Sequence, residues 1–200
     1  MKKLLGIALA SAAAGLCLSA LKKASDEQTV ELSPVKRSSP NKKAILVVSF
    51  GTSYAQTREK TIGAIEEDFR SAFPEYTIRR AFTSKMIIKK LRERDGIEVD
   101  TVAQALEKLE AEGYSTVICQ PTHVMGGFEF DDVKREVENW KGRFDHIACG
   151  WPLLTSSEDY EQVTEALVQE FSDIPSNAAL VLMGHGTEHP ANATYPALDY

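Results

Sequence analysis

Two hundred residues with 43% hydrophobic content can bury one sizeable core. A formal charge of −6 argues against nucleic acid and against an anionic membrane face as partners, while leaving the chain attractive to cations.

The chain opens on MKKLLGIALASAAAGLCLSA: a Lys2-Lys3 pair, an apolar stretch over 4–18 and small residues near Ala20. This is the pattern of a secretory signal, and 1–24 is set apart from the fold. The stretch is short and alanine-rich for a membrane span. Cys17 follows Leu16, where the bacterial lipoprotein pattern wants a small residue, so lipidation is the minority reading. Residues 25–41, with Ser33-Pro34 and Ser38-Ser39-Pro40, cannot bury enough apolar surface to order themselves and read as a linker. The expected mature protein begins between residues 20 and 25, lies in the periplasm and folds from Lys42 onward.

From there strands and helices alternate. Residues 44–50 predict a buried strand; 57–73 predict an amphipathic helix with Ile62, Ile65 and Phe69 at helical spacing and Pro74 past its end. Residues 76–81 alternate as a second strand, and 84–94 read as a helix carrying Lys85, Lys89, Lys90, Arg92 and Arg94. Such a charged run is usually a solvated face, although it could meet the carboxylates of an acidic ligand. A helix over 99–109, closed by Gly113, leads to a strand over 116–120 and the loop QPTHVMGGFEF. His123 stands in that loop at a strand's carboxyl end, beside the adaptable pair Gly126-Gly127, and is balanced between a structural histidine and a ligand-binding one. A helix over 129–140, a strand over 144–149 and a helix over 156–171 follow. Cys119 and Cys149, at ends of predicted buried strands, read as small core residues rather than a disulfide. The alternation gives an α/β fold with a mostly parallel sheet.

The stretch 178–190, AALVLMGHGTEHP, carries the densest signal. Its apolar run 179–183 reads as a strand buried on both faces, with His185 at the carboxyl end between Gly184 and Gly186. ILVVSFGTS over 45–53 superimposes on LVLMGHGTE over 180–188, which matches Gly51 with Gly186 and Thr52 with Thr187. Two such turns would face one shared cleft. Glu188 and His189 are close in sequence to His185, but consecutive loop positions point apart, and neither is read as a ligand.

VVSFGTSYAQTR, QPTHVMGGFEF and MGHGTEHPANATYPALDY together resemble the anaerobic cobalt chelatases, the sirohydrochlorin cobaltochelatases of the class II chelatase group, over 43–200. The resemblance implies a ferrochelatase-like α/β fold of two lobes around a tetrapyrrole cleft. Residues 42–177 would form the first lobe and 178–200 the start of a truncated second. It puts the metal-binding histidine, with a catalytic role, on His185, and the tetrapyrrole contacts on Gly51, Thr52, Ser53, Tyr54 and Gly186. It places a second histidine and the catalytic glutamate in the second lobe, beyond Tyr200. The implied substrates are sirohydrochlorin and Co²⁺, with Fe²⁺ and Ni²⁺ as further metals suited to a neutral imidazole that also accepts a proton. A homo-oligomer is compatible with it. Export motivates a rival, a periplasmic haem- or metal-binding protein with His123 as the candidate haem ligand. A flavodoxin-like or sugar-binding domain would need a phosphate-cradling glycine loop, which Gly51-Thr52-Ser53 matches only in part.

Overall fold

The computed structural model describes residues 41–175, 177–179 and 181–197. The signal and most of the linker expected from the sequence lie outside the described residues. Among these, no helix is long and apolar enough to cross a membrane.

Four strands form one parallel sheet in the order β2-β1-β3-β4: β1 Lys43–Ser49, β2 Thr77–Phe82, β3 Thr116–Pro121 and β4 His146–Cys149. The uninterrupted apolar run of β1 explains its central place, because a strand covered on both faces needs no polar alternation. Ala44, Ile45, Leu46, Val47 and Val48 are all fully buried. Register pairs Leu46 with Arg79 of β2 and with Cys119 of β3.

The helices are α1 Ala55–Arg58, α2 Ala64–Ala72, α3 Lys85–Asp95, α4 Val102–Ala111, α5 Phe128–Asn139, α6 Ser157–Glu170 and a last turn α7 Thr194–Ala197. A π-helical stretch, Glu59–Gly63, joins α1 to α2, so the single helix expected over 57–73 begins earlier and is underwound in its middle. Thr101 with Gln104 and Ser156 with Asp159 form capping boxes that fix where α4 and α6 begin. One sheet face packs Ala44, Leu46 and Val48 against Leu106 and Leu109 of α4 and Val133 and Val137 of α5. The other packs Ile45 and Val47 against Ile65 and Phe69 of α2. Each such fully buried aliphatic side chain contributes about 1.5–3 kcal/mol. Cys119 and Cys149 are register partners on β3 and β4 and both are free thiols, as the core reading expects. Burial pushes the Cys149 thiol up to about 12.

The helices that follow β1 thus cover one face and the helix that follows β3 covers the other. The crevice between the carboxyl ends of β1 and β3 is the switch point of this doubly wound sheet, the place where such folds hold ligands.

One expected element is corrected. Residues 179 and 181–183 form no strand; they run as irregular chain, with Val181 83% and Met183 95% exposed. An apolar run becomes a buried strand only by pairing, and no strand among the described residues pairs with it. The internal repeat accordingly fails at the strand and survives at the turn: Gly51 (φ +97°) and Gly186 (φ +73°) both take the left-handed backbone that glycine permits.

Candidate functional site

Two loops rim the switch point. The first follows β1. Gly51 reverses the chain over the buried ring of Phe82, and Thr52 Oγ1 accepts the Tyr54 backbone N–H at 3.3 Å as α1 begins. The carbonyls of this loop are held from behind. Arg58, itself buried, donates to Thr52 O at 3.2 Å, and the Arg94 guanidinium donates to Ser53 O while clasping its neighbour Asp95 at 2.6 and 2.7 Å. Ser53 is buried, whereas Phe50 (46%) and Tyr54 (69%) stand open to solvent. Thr52 and Tyr54 are therefore available to a ligand, and Ser53 serves the loop's own architecture.

The second loop follows β3. Thr122 ties it to the first loop through a 2.9 Å bond from its hydroxyl to Ser49 Oγ. His123 is fixed through its backbone, its carbonyl accepting from Leu153 N at 2.9 Å. Both of its ring nitrogens are buried without a partner, and burial pushes the imidazole below its ordinary 6.5. Both nitrogens are shielded from solvent, and this geometry by itself neither supplies nor removes a haem ligand at His123.

His123 also gives a stability prediction. A histidine kept neutral in the fold but free to protonate when unfolded draws the equilibrium toward the unfolded chain as pH falls; the effect is absent well above 6.5 and grows as pH drops through it. His123→Leu removes both unpartnered nitrogens at similar volume, so stability should be unchanged or higher near pH 7.5. Between about pH 7.5 and 5.5 the variant's urea midpoint should fall less than the parent's. Parallel slopes would show that His123 is not the titrating group.

The loop ends in α5, whose first turn carries Glu129 and Asp131. There the chain around His185 is docked. His189 accepts the Ala191 backbone N–H on Nδ1 at 3.0 Å, which leaves the proton on Nε2, and that nitrogen donates to Asp131 Oδ2 at 3.2 Å. The His189 ring also meets Phe128 edge-on, with centroids 4.9 Å apart. With both nitrogens engaged, His189 anchors this segment to the start of α5.

His185 itself is exposed. Its one recorded bond runs from Nδ1 to the carbonyl of Gly186 at 2.6 Å. A carbonyl only accepts, so the proton sits on Nδ1 and the lone pair on Nε2 faces outward. That is the tautomer a metal-binding imidazole needs, with its second nitrogen oriented by a carbonyl. Among the described residues no group of three or more His, Cys, Asp or Glu side chains gathers as a metal cage. The structure brings the His185 segment to the start of α5; no hydrogen bond or ion pair joins it to the Gly51–Tyr54 loop among the described residues.

The sequence reading looked for its carboxylate beyond Tyr200 and passed over Glu129. That side chain is exposed, stands between Phe128 and the docked Asp131, and makes no hydrogen bond or ion pair among the described residues. The available signal was an acidic helix start directly after Gly126-Gly127, at a strand's carboxyl end.

The family model described as cobalt chelatase (CbiK) matches residues 43–200. Sirohydrochlorin cobaltochelatase of Salmonella typhimurium (strain LT2) is 48% identical over 159 residues, covering 80% of this chain and 60% of that protein. Sirohydrochlorin cobaltochelatase CbiKC of Nitratidesulfovibrio vulgaris (strain Hildenborough) is 35% identical over 170 residues, covering 84% of this chain and 60% of that protein. The chain thus spans about 60% of the length of the curated relatives it matches.

Proposed function

The chain belongs to the cobalt chelatase (CbiK) family, and from that premise we propose that the whole protein inserts Co²⁺ into sirohydrochlorin. The observation that carries the reading is the outward Nε2 lone pair of His185, on a segment anchored at the switch point of the sheet. A neutral imidazole is a borderline ligand that suits Co²⁺, and Fe²⁺ and Ni²⁺ are further metals for the same donor.

Insertion exchanges one divalent ion for the two protons on the macrocycle's pyrrole nitrogens. The protein must strip water from the ion, hold it over the ring and receive those protons. His185 Nε2 supplies the metal ligand. Glu129, unengaged on the turn where the His185 segment docks, is the carboxylate best suited to take a proton, and a second group or water takes the other. The macrocycle is a flat ring with an apolar face, and exposed Phe50, Tyr54 and Phe128 around the switch point suit it. Gly186 lets backbone approach it without a Cβ, while Gly51 turns its bare side onto the Phe82 ring and so shapes the loop that faces it.

The test is a spectroscopic insertion assay on the whole protein with sirohydrochlorin and Co²⁺. Appearance of the cobalt macrocycle's absorption above the uncatalysed rate supports the reading, and a rate no faster than the blank overturns it.

The N-terminal pattern of residues 1–20 supports export as the second part of the proposal. Mass spectrometry of the protein from its host should find a chain starting between residues 20 and 25 in the periplasmic fraction. An intact Met1 in the cytoplasmic fraction would refute export.

A further inference from the structure

Helix α3 is not the crossover between β2 and β3; α4 is. After Phe82 the chain leaves the sheet, makes α3, and returns at Asp100, which bridges to Ala81 and whose carbonyl accepts the Phe82 N–H at 2.9 Å. Residues 83–99 are therefore an excursion that starts and finishes at the carboxyl end of β2, on the ligand edge of the sheet.

The excursion is fastened to the first site loop at both ends of the helix. Thr83 N donates to Ser49 O at 2.9 Å and Ser84 N to Phe50 O at 3.2 Å, while Arg94 in the last turn of α3 donates to Ser53 O. Ile88 and Leu91 on its inner face pack with Phe82, Ile62 and Val99. The outer face carries Met86, Lys89, Lys90, Glu93 and Arg94 around an open depression of about 410 Å³.

Two features of that face are out of place on a merely solvated helix. Met86 is 76% exposed among cations, which places an apolar side chain beside ammonium groups. Lys90 has no ion pair among the described residues, and the only recorded partner of Lys89 is Glu93 at 3.8 Å, a loose surface contact of little worth. On a chain of net charge −6, this is a cationic patch held next to the site.

We propose that Met86, Lys89 and Lys90 form a docking subsite for the carboxylate side chains of an anionic, flat macrocycle, with the thioether against its apolar rim. The subsite rests on the chelatase reading for the identity of that ligand, since sirohydrochlorin is a polycarboxylate. It gathers the ligand electrostatically and sets which edge enters first, without touching the reacting nitrogens.

The test compares the whole protein with its K89E/K90E and M86A variants. All three positions are exposed, so folding should be unaffected, as circular dichroism will check. Two readouts are needed: fluorescence titration with an octacarboxylate porphyrin, and KM and kcat for cobalt insertion into sirohydrochlorin. The charge reversal should weaken porphyrin binding and raise KM about tenfold, leave kcat within about twofold, and flatten the salt dependence of both binding and KM. M86A should weaken binding about threefold without changing the salt dependence. Affinity and salt slope equal to the parent's in K89E/K90E would overturn the subsite even if insertion proceeds normally. Conversely, a parent that binds the porphyrin through these lysines but inserts no metal keeps the subsite and sinks the chelatase reading.

Discussion

His185→Ala in the whole protein should lower the turnover of cobalt insertion by about two orders of magnitude or more, with KM for the tetrapyrrole nearly unchanged. The reasoning starts from the tautomer. With its Nδ1 proton held by the Gly186 carbonyl, the imidazole presents a fixed Nε2 lone pair. His189 has both nitrogens engaged, His123 has both enclosed, and His146 stands at the amino end of β4, on the opposite edge of the sheet from the site. The variant should fold normally, because His185 is exposed and bonds only to its neighbour's carbonyl. If the residue acts as a metal ligand, added imidazole should restore part of the activity. Unchanged turnover in His185→Ala would remove the assignment. A rise in KM with turnover unchanged would instead mean that the residue binds substrate and transition state alike.

Much of the scaffold was legible because it follows from local pattern. The apolar run 44–48 demanded a strand covered on both faces and became the centre of the sheet. Ser156 and the 3.6-residue spacing of 57–73 marked helices to within a few residues. What escaped depends on pairings distant in sequence. The same logic that read 44–48 correctly misread 179 and 181–183, since composition reports the capacity for burial but not the presence of a partner strand. The charges of α3 looked like a solvated face, because nothing local says that Asp100 rejoins β2 and turns the helix into a cap on the ligand edge. In the site, the glycine–histidine turn stood out by itself. The role of Glu129 needed the His189–Asp131 contact, made across 58 positions of chain.

Gly51→Ala should cost about 2–5 kcal/mol of stability, seen as a large drop in the urea midpoint, and should also impair the site. Two penalties coincide at this residue. Its φ of +97° is a backbone conformation that an L side chain enters at a cost of about 1–2 kcal/mol. A Cβ there would also lie 2.5 Å from Cδ2 and 2.7 Å from Cγ of Phe82. That ring cannot swing away: it is fully buried and packed with Ile62, Ile88, Leu91 and Val99, so the clash adds about 1–3 kcal/mol of overpacking. Relief must come from moving the loop, which drags Thr52 and Tyr54 off the switch point and strains the Arg94 bond that fastens α3 to Ser53. Gly127→Ala is the control, because nothing lies within 4 Å of its added carbon and its φ is negative; its midpoint should stay within about 0.5–1 kcal/mol of the parent's. Equal midpoints for Gly51→Ala and Gly127→Ala would mean that the loop yields freely, and that the left-handed turn does not hold the first rim of the site in place.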